Sequence, residues 1–187
     1  MEERYSVEEF SKDVSVGEYF ERSHNPDEVW GYCRACEKYG RQWGCPPFDF
    51  DVVERLSRYS TIRLIATKIT LLDRSILPCE INSVLQPERA RLERQLLEME
   101  RDCNGLACTY IGECLHCAEG RCSRLCDAPC RHPDLIRPSL EAYGFDVAKT
   151  LHELFGLDLE WPTATTSPSH IILTTALLYS SRVENSR

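Results

Sequence analysis

The 187-residue sequence is 42% hydrophobic and 28% charged, a composition typical of a folded domain with its own hydrophobic core. Its net charge of −8 makes nucleic acid and anionic membrane surfaces poor candidates for the main partner. The N-terminal segment lacks the apolar run of a secretory signal, and the apolar run at residues 171–179 is too short to span a bilayer. We therefore expect a single domain over residues 1–187, located in the cytoplasm, with no membrane or nucleic-acid partner.

The first half of the chain predicts two helices and one strand. Ser6, followed three residues later by Glu9, matches a capping box and predicts a short N-terminal helix. Asp51 is placed to cap a second helix, and the β-branched, apolar residues 61–72 predict a strand. Residues 33–47 are rich in glycine, proline and aromatic side chains, which favours a loop.

The second half predicts two more helices and a second strand. Residues 87–101 predict a helix with proline at its first position and a narrow apolar stripe. Asp146 and Gly156 are suited to begin and end another helix, and residues 171–179 predict a strand. We expect an α+β fold with a small sheet, several helices and cysteine-rich metal-binding loops on one side, and a frayed tail at residues 181–187.

Eleven cysteines are the unusual part of the composition. A chain in the reducing cytoplasm does not keep its thiols as disulfides, and an odd number of thiols cannot all pair within one chain. Most of the cysteines fall in two motifs, within residues 33–47 and residues 103–133. This distribution points to metal binding.

The first motif offers three thiols, Cys33, Cys36 and Cys45, with the spacing C-x2-C-x8-C. Two cysteines separated by two residues can bind one metal or one cluster, because the turn between them points both sulfurs the same way. A Cys–Pro step such as Cys45–Pro46 also ends the bacterial ferredoxin motif. Since a tetrahedral metal or a four-iron cluster takes four ligands, the first motif lacks one.

The second motif has one cysteine more than a four-ligand site needs. Its five thiols are Cys114, Cys117, Cys122, Cys126 and Cys130. Four of them suffice for one [4Fe–4S] cluster, and the fifth could complete the first motif, since cysteines cross between the two runs of two-cluster ferredoxins. The competing candidates for that position are Cys79, Cys103 and Cys108.

Cysteine-only ligation, the ligand surplus and the Cys–Pro step favour one or two [4Fe–4S] clusters over zinc. The corresponding function is electron transfer, or a redox accessory role, with a redox partner protein. Zinc is the alternative, because two C-x2-C pairs can build a structural site in an interaction module without redox chemistry. A third possibility is an enzyme whose cluster keeps one position open for substrate. The oligomeric state is left open.

The motifs together resemble a domain-of-unknown-function family of cysteine-rich predicted metal-binding proteins. The similarity rests on the segments CRACEKYGRQWGCPP, GECLHCAEGRC and DAPCRHPDLIRPSLEAYGFDV, and spans about residues 30–155. What the resemblance implies is metal or iron–sulfur binding. Within the third segment, we expect Ser139 to cap a short helix and Arg131 to hydrogen-bond to Glu141.

Overall fold

The chain folds around a four-stranded antiparallel sheet with the strand order β1-β2-β4-β3. The computed structural model describes residues 4–73, 75–109, 112, 114, 116–117, 121–163 and 165–180. The strands are β1 (Tyr5–Ser15), β2 (Thr61–Leu71), β3 (Leu106–Cys108) and β4 (His170–Tyr179). The helices are α1 (Val16–Ser23), α2 (Pro26–Ala35), α3 (Val52–Leu56), α4 (Ile81–Cys103) and α5 (Val147–Phe155). This architecture confirms the predicted α+β class.

The middle strands, β2 and β4, supply buried side chains to both faces of the sheet. Side chains alternate along a strand, so Ile62 and Leu64 of β2 face one side, and Ile69 and Leu71 face the other. The first pair belongs to a core cluster with residues of α1, α3 and α5, whereas the second pair packs with α4. The sheet is therefore covered by three helices on one face and by one long helix on the other.

The helix caps predicted from local sequence are confirmed. The Asp51 carboxylate accepts a hydrogen bond from Glu54 N at 2.7 Å at the start of α3, and Asp146 accepts one from Lys149 N at 2.8 Å at the start of α5. Gly156 ends α5 with a φ of 64°, a backbone conformation that other residues adopt at a cost. These signals act within one helical turn, which is why the sequence predicts them well.

The predicted N-terminal helix is wrong, because residues 5–15 form the edge strand β1. β1 pairs with β2 without interruption, from Tyr5 opposite Leu71 to Ser15 opposite Thr61. This ladder pairs backbone groups along the whole strand, whereas a capping box at Ser6 would stabilise only one helix end. Tertiary pairing therefore overrides the local signal.

The predicted start of the long helix at Pro87 is also wrong, because α4 begins at Ile81 and contains Pro87. Ile81 and Leu85 are buried in the same core cluster as Ile76, so the apolar face of α4 extends past the proline. Packing of that face offsets the backbone hydrogen bond that a proline inside a helix removes.

The described residues between 104 and 130 are mostly irregular, as predicted, but they include β3 and a 3-10 turn at Ser123–Cys126. The predicted frayed tail, residues 181–187, lies outside the described residues. Among the helices that the structure describes, none is both long enough and apolar enough to cross a membrane.

Candidate metal centre

The first cysteine motif begins on a helix and continues as a closed loop. α2 extends to Ala35, so Cys33 lies in its last turn, where the sequence predicted a loop. Cys36 N donates to Cys33 O at 3.0 Å, which turns the chain directly after the helix. Gly40, with a φ of 67°, donates to Pro46 O at 2.8 Å and closes the loop that contains Cys45. Local hydrogen bonds thus fix the turn that carries Cys36 and the loop that carries Cys45.

The three thiols of this motif are neighbours. Cys33, Cys36 and Cys45 line one side of a large cleft. The pKa of Cys45 is raised to about 11, mainly by burial and also by the thiols of Cys36 and Cys33, while Arg124 opposes the increase. Thiols with raised pKa values are protonated at neutral pH, so binding of a metal would release protons from this motif.

Four thiols of the second motif surround a second, small cavity. Its lining consists of Gln42, Cys114, His116, Cys117, Cys122, Cys130, His132 and Ile136. Burial raises the pKa of Cys114, a hydrogen bond from the backbone of His116 lowers it, and the other three cysteine thiols raise it. Thiols and imidazoles are the kinds of ligand that iron–sulfur clusters and zinc ions take.

Cys126, the fifth thiol of the second motif, lies apart from this cavity. It is exposed at the end of the 3-10 turn and is not among the residues that line either cavity. Its role as a ligand stays a prediction.

The three remaining cysteines are dispersed. Cys79 is exposed in a 3-10 turn, Cys103 is half-buried at the end of α4, and Cys108 is fully buried in β3. None of these three lines the cleft of the first motif. Within the described residues, no group of three or more His, Cys, Asp or Glu side chains is arranged to hold a single metal ion. The described thiols therefore form two sets, and neither has the tetrahedral arrangement that a single metal ion requires.

Arg124 joins the two motifs. Its guanidinium donates to three backbone carbonyls of the first motif: Gln42 O at 2.7 Å, Cys45 O at 2.6 Å and Pro47 O at 2.5 Å. It also lies over the ring of Trp43, 5.2 Å from the ring centroid. Sequence analysis did not identify this residue, because an arginine between two cysteines carries no signal for the distant carbonyls that it reaches.

Two further side chains strengthen this junction. Trp43 Nε1 donates to Ala128 O at 3.2 Å and to Ser123 Oγ at 3.3 Å. The side-chain oxygen of the buried Gln42 accepts from Cys114 N at 3.2 Å. The first thiol of the second motif is therefore held directly against the first motif, and the two thiol sets adjoin.

The segment after the second motif forms a buried turn against α2. Ser139 Oγ accepts from Ala142 N at 3.2 Å, so Ser139 caps a turn and not the predicted short helix. The predicted hydrogen bond from Arg131 to Glu141 is wrong, because Arg131 donates instead to Arg121 O at 3.1 Å. Gly144, with a φ of 88°, is needed here because a Cβ would lie 3.0 Å from Pro26 Cβ.

The ion pair of Arg137 and Glu100 holds the same segment to the end of α4. Arg137 Nε donates to Glu100 Oε2 at 2.7 Å, and that oxygen also accepts from Ala107 N at 2.6 Å. Both side chains of the pair are largely buried. Burial alone raises the pKa of Glu100, but the hydrogen bonds from Arg137 and Ala107 outweigh it and hold the pKa below 4.5.

Replacing Glu100 by glutamine should lower the free energy of unfolding by about 2 kcal/mol at neutral pH, because a charge-assisted pair is lost and Arg137 stays buried. The pKa of Glu100 is depressed in the folded protein, so its contribution is complete above the unfolded pKa and disappears as the pH falls through the folded value. Urea unfolding of both proteins at pH 7 and at acidic pH checks this. A difference in unfolding free energy between wild type and Glu100→Gln that grows on acidification would contradict this prediction.

Comparison with known protein families identifies a match over most of the chain. Residues 24–179, which contain both cysteine motifs, match the family described as "Predicted metal-binding protein (DUF2284)". No curated protein and no solved structure matches the chain. The matched region covers most of the sequence, from the end of α1 to the end of β4. The chain therefore belongs to the DUF2284 family of predicted metal-binding proteins.

Proposed function

We propose that this protein is a cytoplasmic iron–sulfur protein that carries two [4Fe–4S] clusters and acts in electron transfer or as a redox accessory protein. One cluster would be held by Cys114, Cys117, Cys122 and Cys130, and the other by the first motif. The observation that carries the proposal is the small cavity lined by four thiols beside a second set of three. Soft thiolate ligands in this number suit iron–sulfur clusters.

The contact between the two motifs supports a shared redox role. Cys114 of the second set contributes to the raised pKa of Cys45 in the first set, which reports their electrostatic proximity. Gln42 and Arg124 fix this proximity through hydrogen bonds. Two clusters at these positions would lie side by side, as a pathway for electrons requires.

The partner would dock near the cysteine motifs. Tyr32, next to Cys33, and Leu125, next to Cys126, are large apolar side chains that are exposed to solvent. Exposed apolar residues beside a redox centre suit a transient contact with a redox partner protein.

Metal analysis tests the proposal directly. Protein purified without oxygen is expected to be brown, to lose colour on reduction with dithionite, and to contain iron and acid-labile sulfide. About eight irons per chain would support two clusters, and about four would support one.

Zinc is the competing outcome, because His116 and His132 line the same cavity as the four thiols and a Cys3His site is a common zinc site. Stoichiometric zinc without sulfide would contradict the iron–sulfur proposal. It would indicate a zinc-stabilised module instead.

A further inference from the structure

Glu141 is a half-buried residue beside the three-cysteine motif, and one of its carboxylate oxygens is fully buried. It lines the same cleft as Cys33, Cys36 and Cys45. Its Oε2 atom is inaccessible to solvent and has no hydrogen-bond partner in the part of the chain that the structure describes. Buried polar atoms in native proteins are nearly always paired, so an unpaired carboxylate oxygen at this position points to an absent ligand.

The packing of α2 explains why Glu141 lies near Cys33. The Trp30 indole donates to Ala142 O at 3.1 Å, and Asn25 N donates to Gly144 O at 2.9 Å. Cys33 follows Trp30 by three residues, so both lie on the same face of the helix. The thiol of Cys33 therefore lies on the face of α2 that contacts this turn. Glu141 is the residue of the turn directly before Ala142.

Electrostatics agree with this placement. Burial raises the pKa of Cys33, and the negative charge of Glu141 is the next largest cause of that increase. Burial likewise raises the pKa of Glu141, opposed only by hydrogen bonds from its own N–H and from Ser139. No cation is among these partners. A buried carboxylate oxygen without a partner is costly, and a direct bond to a metal ion at the three thiols would satisfy it.

We propose that the Glu141 carboxylate is the fourth ligand of the metal site formed by Cys33, Cys36 and Cys45. The inference rests on the proposed function only in requiring that a metal or cluster binds there. The second motif then needs no crossing ligand.

Two of the alternative cysteine ligands are less well placed, and a third, Cys114, lines the cleft but also belongs to the four-thiol cavity. Cys126 is exposed and does not line the cleft. Cys108 is 0% exposed within the hydrophobic core of the sheet. With Glu141 as ligand, the two sites differ in kind: one has four thiolates, and the other has three thiolates and an oxygen. A carboxylate is a harder ligand than thiolate, so the iron that it binds would be the one that exchanges its ligand.

The test compares Glu141→Gln with wild type after anaerobic reconstitution with ferrous iron and sulfide. Glutamine keeps the shape of the side chain but not its charge, so the iron at this position should be lost. We expect iron to fall from about eight to about seven per chain, and the oxidised protein to give the electron paramagnetic resonance signal of a three-iron cluster. Glu141→Cys supplies a thiolate and should show no three-iron signal and a changed spectrum of the reduced first cluster.

Glu88→Gln is the matched control, because Glu88 is also buried but pairs with Arg91 on α4. This variant should retain the wild-type iron content and spectra. Iron content and spectra that are unchanged in both Glu141 variants would overturn the inference. So would loss of the first cluster in Cys108→Ala while Glu141→Gln retains it. If Glu141→Gln does not fold, Glu141→Cys alone decides through the spectrum of the first cluster.

The zinc outcome would overturn the proposed function but still test Glu141. In that case, zinc alone is titrated into the metal-free wild type, Glu141→Gln and Glu88→Gln. Zinc affinity at the first site that is at least tenfold weaker in Glu141→Gln alone would support ligation by Glu141. Equal affinities would overturn it.

Discussion

Replacing Cys122 by serine is expected to remove one cluster, about four irons per chain, whereas replacing Cys126 by serine should leave the iron content unchanged. The two cysteines are close in sequence, but only Cys122 lines the small cavity with Cys114, Cys117 and Cys130. Serine has nearly the shape of cysteine and is a poor ligand for iron, so this pair of variants tests ligation more than packing. Iron, sulfide and visible absorbance after anaerobic reconstitution give the result.

The metal-free proteins provide the control for this pair. Both variants should unfold at the same urea concentration as metal-free wild type, because neither thiol makes a described hydrogen bond that serine would lose. Loss of iron in Cys126→Ser with retention in Cys122→Ser would reverse the assignment of the ligands.

Arg124→Ala is expected to lower the free energy of unfolding by about 3 kcal/mol and to speed the loss of iron from both sites to a chelator. The reason is that one guanidinium serves three carbonyls of the first motif while its own backbone belongs to the second. Removing it leaves partly buried carbonyls without a donor and frees the two motifs from each other. Urea unfolding and chelator-driven iron release measure the two effects.

Arg58→Ala is the matched control, since Arg58 is exposed and makes an ion pair with Glu54 one helical turn away. Its removal should change the free energy of unfolding by less than about 0.5 kcal/mol. The loss of unfolding free energy in Arg124→Lys should lie between the losses in Arg58→Ala and Arg124→Ala. The reason is that an ammonium group cannot reach three carbonyls in the planar arrangement of a guanidinium. Equal stability of Arg124→Ala and Arg58→Ala would contradict the proposed junction.

Many features of the fold could be predicted because their causes are local. The caps at Asp51 and Asp146 act through a hydrogen bond to a residue three positions away. The strand at residues 61–71 is mostly apolar or β-branched, and it lies in the middle of the sheet. The misassigned segments, β1 and the start of α4, are those where a partner distant in sequence outweighs the local preference.

The candidate site likewise has features with local causes, which the sequence predicts, and features that depend on residues distant in sequence. The spacing of the cysteines identifies two ligand-bearing motifs and the family, because C-x2-C pairs bring their own sulfurs together through a short turn. The sequence alone also establishes that the first motif has three thiols and the second has five.

Only the tertiary structure decided how these two motifs are joined and which carboxylate lies in the cleft of the first. Glu141 follows the first motif by about a hundred residues, and it lines the same cleft as Cys33 because α2 packs on the turn around Ala142. Arg124 reaches the carbonyls of Gln42 and Cys45 only because the two motifs fold against each other. Such contacts depend on the path of the whole chain and leave no periodic or spacing signal, whereas the thiol pairs depend on two or three neighbouring residues.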